Sequence, residues 1–110
     1  MKFFITKKKL IKELSKELAY LQINADWWYY VYSSKDINER REMSSSNLDD
    51  VVELRTICYT LGILKEVYDE AYKIYDFRNS GKEGYKPDIE LIKKLQVEFC
   101  EPLKKKRLFM

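Results

Sequence analysis

The chain has 110 residues, 45% hydrophobic and 35% charged, with a net charge of +3. That is enough for one globular domain and argues against a chain disordered throughout. Histidine is absent, which excludes the usual neutral-pH acid–base group, the Ser-His and Cys-His nucleophile pairs, and the commonest zinc ligand. Only two cysteines occur, Cys58 and Cys100, too few and too far apart for a disulfide framework or a metal knuckle. Each sits among apolar residues at helical spacing, so buried free thiols in a reducing cytoplasm are expected.

At the start, Met1-Lys2-Phe3-Phe4-Ile5 is too short an apolar run for a secretory leader. Thr6 has the chemistry of a helix N-cap, with Ile5 and Leu10 as a hydrophobic staple. Lys7, Lys8 and Lys9 oppose the helix dipole in the first turn. Ile11, Leu14, Leu18, Leu21, Ala25, Trp28 and Tyr32 then repeat at spacings of three and four, which predicts a helix over 7–32. A competing reading makes 27–32 a strand, since Trp27-Trp28-Tyr29-Tyr30-Val31-Tyr32 are all good β-formers. Its only pairing partner would be 2–6, and two short strands make a poor sheet. The same six residues are the longest uninterrupted apolar run, too short to span a bilayer, so a membrane partner is not expected.

Residues 33–46 are polar and lack a period, which predicts a mobile surface connection, with a short helix possible within 36–42. Asn47, followed by Asp49 and Asp50, reads as the start of a long helix over 48–79. Along it Leu54, Ile57, Leu61, Leu64, Tyr68, Ala71 and Tyr75 form one apolar file. Ile63, Val67, Ile74 and Phe77 form a second beside it. Gly62 falls within this helix, where it marks either a close crossing or a kink. Asn79-Ser80-Gly81 supplies the stop. Pro87 and Asp88 open a third helix over 88–101, with Ile89, Ile92, Leu95, Phe99 and Cys100 on its apolar face, ended by Pro102. Residues 103–110 remain as a basic tail.

The fold expected is therefore all-α: a small bundle of two long antiparallel helices, 7–32 and 48–79, with the shorter 88–101 packed across them. Residues 1–102 form the single domain and 103–110 the tail; the alternative is α+β with strands at 2–6 and 27–32. Three helices leave part of so much apolar surface uncovered, so a homodimer or protein partner is expected.

No catalytic constellation is legible. Asp49/Asp50 and Asp69/Glu70 are adjacent in sequence and so diverge on a helix, and Gly81-Lys82-Glu83-Gly84 lacks the spacing of a phosphate loop. No enzyme, cofactor, metal or small-molecule substrate is expected. The reading is a non-enzymatic protein-interaction module, such as a small regulator or inhibitor of phage or mobile-element type that binds a host protein. The candidate contacts are Trp27, Trp28 and Tyr30 in the aromatic block and the second file Ile63, Val67, Ile74 and Phe77. The alternative is a nucleic-acid accessory protein that uses Lys7, Lys8, Lys9, Lys104, Lys105, Lys106 and Arg107 on phosphates.

Overall fold

In the computed structural model, the described residues are 6–31, 37–80 and 82–108, the side chains of 37–48 and 107–108 excepted. The fold is all-α. Helix α1 spans Lys7–Val31 and is capped as its sequence suggests: Thr6 Oγ1 accepts from the Lys9 backbone N–H at 3.1 Å. The backbone stays helical through Val31, and no strand occurs among the described residues. The strand alternative at 27–32 is thereby overturned; its partner, 2–6, lies outside the described residues except for Thr6. A helix satisfies every one of its own interior amides, whereas an isolated strand pair would leave its edges bare.

Burial on α1 follows a different line from the large-residue repeat. The buried residues are Ser15, Leu18, Ala19, Gln22, Ile23, Ala25 and Asp26. Leu14 and Leu21 are only partly buried beside them. Small side chains at Ser15 and Ala19 let neighbouring helices approach closely, while the larger residues fill the flanks. Ser15 satisfies its hydroxyl by donating to the Lys12 carbonyl at 2.7 Å.

Helix α2 spans Ile37–Thr60, so most of the segment expected as a polar connection is helical backbone. Asn47, Asp49 and Asp50 lie in the body of α2 and not at its start. α2 buries Leu54 and Cys58, with Val51 partly buried, and packs along α1. A link as short as 32–36 requires that packing to be antiparallel.

The long helix expected over 48–79 is broken. After Thr60 the Gly62 N–H bonds to the Tyr59 carbonyl and the Ile63 N–H to the Cys58 carbonyl, both at 3.0 Å. With Gly62 at φ +72°, this pair of bonds is a Schellman C-cap, and buried Ile63 and Cys58 sit at its two ends, where the motif's hydrophobic contact is usual. Gly62 supplies a left-handed conformation and not a close crossing: a Cβ there would meet nothing within 4 Å.

Helix α3 (Leu64–Ile74) then runs back along α1 in the same sense. Its Glu66–Lys73 stretch faces Lys7–Lys12, and Tyr75, just past its end, reaches Asp26 near the other end of α1. It stops at Ile74, short of the expected Asn79, because Tyr75 turns extended (φ −150°, ψ 117°). That turn sends Tyr75 to Asp26 and folds Phe77 onto Tyr68 and Tyr72, with ring centroids at 5.8 and 4.8 Å. Two buried aromatics outweigh one further turn of helix.

Helix α4 (Ile89–Leu95) is capped by Asp88, whose side chain accepts from the Leu91 N–H. A π-helical turn, Gln96–Cys100, joins it without interruption to α5 (Glu101–Leu108). The helix therefore passes through Pro102, where an end was expected, and most of the expected tail is helical. The Glu101 N–H reaches back to the Gln96 carbonyl, and this wider turn shifts the carbonyls that a proline ring would otherwise strike.

The organising element is α1. Its backbone lies close to those of α2, α3, α4 and the π turn, while the backbone of α4 approaches neither α2 nor α3. The core forms around Leu18, Ala19 and Ile23 of α1 with Leu54, Cys58, Ile63, Val67, Ala71, Tyr75, Phe77, Ile92 and Cys100.

Candidate functional site

The break at Gly62 decides which part of the apolar stripe is covered. Before it, Ile57 and Leu61 from the first file are 44% and 53% exposed, and Val52 and Tyr59 are 61% and 75% exposed. At about 100° per residue, Tyr59, Val52, Thr56, Thr60 and Ile57 lie in that order around an arc of about 160° on the outer side of α2. Only Glu53 interrupts them with a charge. The threonine hydroxyls are turned inward: Thr56 donates to the Val52 carbonyl at 3.0 Å and Thr60 to the Thr56 carbonyl at 2.9 Å. Both hydroxyls already hold a partner, so a surface laid on this face need not replace those bonds. One turn earlier stand Asp49 and Asp50, exposed. Neither they nor Glu53 has an ion pair among the described residues.

The residues singled out from sequence divide sharply. Ile63, Val67 and Phe77 are core, with Val67 fully enclosed, and Ile74 is packed against that core. The second file is therefore no open contact surface; α3 turns it onto α1. Trp27 is also partly buried against the core, with its ring 5.9 Å from that of Tyr30. Trp28 and Tyr30 are exposed at the end of α1, beside Tyr29 and Val31. Lys7, Lys8 and Lys9 are exposed at the other end of α1, and Lys104, Lys105 and Lys106 are exposed on α5. Among the described residues the backbone of α5 approaches only the π turn before it, so it does not come near the backbone of Lys7, Lys8 and Lys9. The side chain of Arg107 lies outside the described residues.

Sequence reasoning missed the outer face of α2, because Ile57 and Leu61 were assigned to one continuous helical face. The signal was available: a glycine followed by an apolar residue, with another apolar residue five positions before the latter, is the pattern of a Schellman cap.

It also missed the most elaborate polar cluster. Asp26, 6% exposed, accepts from Gln22 Nε2 at 3.0 Å through Oδ1. Through Oδ2 it accepts from Tyr75 at 2.5 Å, Ser80 at 2.8 Å and Tyr85 at 3.3 Å. The Tyr75 and Tyr85 hydroxyls are 3.2 Å apart. Among the described residues no cation pairs with this carboxylate. Burial, then the bonds to Asp26 and Tyr85, raise the Tyr75 hydroxyl far above the usual phenol range, so it stays a donor at all physiological pH. The arrangement ties the 75–85 segment to α1; its donors converge on the carboxylate and leave it almost enclosed.

An open groove between α1 and α3 is lined by Lys7, Lys8, Ile11 and Lys12 on one wall and Glu66, Asp69, Glu70 and Lys73 on the other. Two of its acids are engaged along their own helix, Asp69 with Lys65 at 3.1 Å and Glu70 with Lys73 at 2.8 Å. Both thiols are free and buried. Burial pushes the Cys100 thiol up to about 11 and raises Cys58 as well. Among the described residues no cluster of three metal-ligating side chains occurs, and no helix is long and apolar enough to cross a membrane. In comparison with known proteins, the chain matches no family model, no curated relative and no solved structure.

Proposed function

We propose that this protein is a non-enzymatic, cytoplasmic protein-interaction module that works through the outer face of α2. The observation that carries the reading is the exposed run Val52, Thr56, Tyr59, Thr60 and Ile57, continued by Leu61. It joins four large exposed apolar residues to threonines whose hydroxyls are already bonded. Such a face loses little hydration when covered, and burying its apolar area contributes roughly 25 cal/mol per Å². Tyr59 is placed as the anchor, an aromatic with apolar body and polar tip of the kind enriched at interface centres. The exposed aromatic end of α1, with Trp28 and Tyr30, is a second and smaller contact region. The buried thiols agree with a reducing compartment. The Asp26 carboxylate, enclosed by its donors, supports a structural role and not chemistry.

A photo-cross-linking side chain at position 59 tests this in cells. A discrete adduct from position 59, and none from the exposed control position 83, is the expected result. No adduct at position 59, or equal smearing from both positions, would reject the reading.

A second reading, nucleic-acid binding, has one observation in its favour: Lys104, Lys105 and Lys106 stand exposed on a helix whose backbone meets no other helix. It requires retention on DNA or RNA that falls steeply with salt and disappears with the three lysines.

A further inference from the structure

We propose that the α2 face receives the α5 arm of a second copy of this chain, each of two copies laying its arm on the other. This rests on the reading of α2 as an interaction surface and names its occupant. Three observations carry it.

First, the two surfaces are complementary in charge. The α2 face is largely apolar from Val52 to Leu61, interrupted by Glu53, with Asp49 and Asp50 at its near end and exposed Arg55 at its flank. The arm carries Lys104, Lys105 and Lys106, all exposed, with Val97 61% exposed at its root and Leu103 partly buried. None of these three acids and three lysines has an ion pair among the described residues, although ion pairs of other residues are plain elsewhere.

Second, the two surfaces are not laid on each other within one copy of this fold. The backbones of α4, the π turn and α5 do not approach that of α2. The complementary halves are carried by one chain, and α1 is the element that both α2 and the α4–π-turn segment pack on.

Third, the stoichiometry closes. Every copy has one face and one arm, so a two-fold pair satisfies both arms and both faces and leaves no open end, whereas one-way docking would propagate into a filament. Attraction between solvent-exposed charges steers the encounter and is screened within a Debye length of about 10 Å at 0.1 M salt. The dimer is therefore expected to be salt-sensitive, with the apolar stripe supplying the part that salt does not remove.

The test is charge reversal with cross-rescue, read as molar mass by light scattering on the full chain. The native protein is expected at about twice its 13.3 kDa monomer mass in roughly 0.05 M NaCl, with at least a tenfold weaker dimer at about 0.5 M. A face variant, Asp49→Lys with Asp50→Lys and Glu53→Lys, and an arm variant, Lys104→Glu with Lys105→Glu and Lys106→Glu, should each be monomeric. Mixed in equal amounts, they should form a one-to-one dimer, because the retained lysine arm meets the retained acidic face and the reversed arm meets the reversed face. All six positions are exposed, and a native helical circular-dichroism spectrum with a cooperative thermal transition would confirm that each variant folds.

A native protein that is monomeric at every salt and concentration overturns the proposal. So does a dimer that survives in both variants, or one that the mixture fails to restore. If the arm variant instead loses retention on DNA or RNA while the mass never changes, the arm serves nucleic acid and the proposal fails. In each of those cases a heterologous adduct from position 59 would leave the wider interaction reading standing, and absence of any adduct would remove it.

Discussion

Replacing Tyr75 by phenylalanine isolates the bond that ties the end of α3 to α1. The ring keeps its place beside Phe77, 6.5 Å between centroids, so the change removes one O–H donor from a buried carboxylate. Hydrogen bonds to charged groups contribute about 1.5–3 kcal/mol. Ser80 and Tyr85 still donate to Asp26 Oδ2, which places the expected loss near the lower end, about 1.5–2 kcal/mol. Asp26→Ala removes the acceptor for all four donors and leaves the Tyr75 hydroxyl and Gln22 amide buried without it, so about 3–5 kcal/mol is expected. The two changes share one bond, and the double variant should show about 1–2 kcal/mol of coupling. Urea unfolding measures all three. With a slope of about 1.5 kcal/mol/M, the midpoint falls by about 1 M for Tyr75→Phe and by about 2–3 M for Asp26→Ala. A Tyr75→Phe midpoint indistinguishable from native, or zero coupling, would refute the assignment of Asp26 as the clasp.

Gly62→Ala should cost about 1–2 kcal/mol by urea unfolding, because the strain is wholly that of a side chain at φ +72° with no clash added. Gly62→Asn should recover part of it. Neither Cys58 nor Cys100 should react with iodoacetamide in the native protein at pH 8, since burial raises both thiols; both should react in denaturant, and native labelling would contradict their packing. The Arg78 side chain, and then its backbone N–H, hold the Asp76 carboxyl down at about 2. Because the folded value is depressed, this contribution is present above the ordinary carboxylate range and is lost as pH falls through about 2. NMR titration of Arg78→Ala should move Asp76 back toward the model-peptide value of about 3.9; an unchanged titration would refute the pairing.

The all-α class and the extent of α1 were legible because a repeat of three and four residues over about six turns fits a helix and gives the strand reading of 27–32 no adequate partner. The cap at Thr6 was legible; Asp88 was read as the opening of the third helix and caps it, whereas Asn47, read as a cap, lies within α2. What was not legible depends on contacts distant in sequence. Period alone runs through Gly62 without a fault, and only the backbone bonds from Gly62 and Ile63 reveal a reversal. Tyr75 and Phe77 fit a helical file as well as they fit an extended segment; Asp26 and the Tyr68/Tyr72 pair decide the matter. The expected end at Pro102 was sound local chemistry, overridden by a π turn that moves the offending carbonyl. Of the aromatic residues singled out from sequence, Trp28 and Tyr30 are exposed although Trp28 falls on the large-residue repeat, while Trp27 packs against the core. The outer face of α2 was not read, because its exposure follows from that unseen reversal.

The bare face of α2 and the buried second file both depend on the reversal at Leu61–Ile63, so one distance tests them together. Spin labels at positions 50 and 70, exposed on α2 and α3, would be about 30 Å apart along a continuous helix rising 1.5 Å per residue. With α2 antiparallel and α3 parallel to α1, the separation of these positions along the axes falls to about 6 Å, and two axes each about 10 Å from that of α1 are at most about 20 Å apart, so the positions come to about 20 Å. A pulsed-EPR distance distribution centred at or below about 20 Å is the predicted result. A single population near about 30 Å would mean an unbroken helix, with the apolar file of Ile63, Val67 and Phe77 outside the core and the α2 face no longer the one left open.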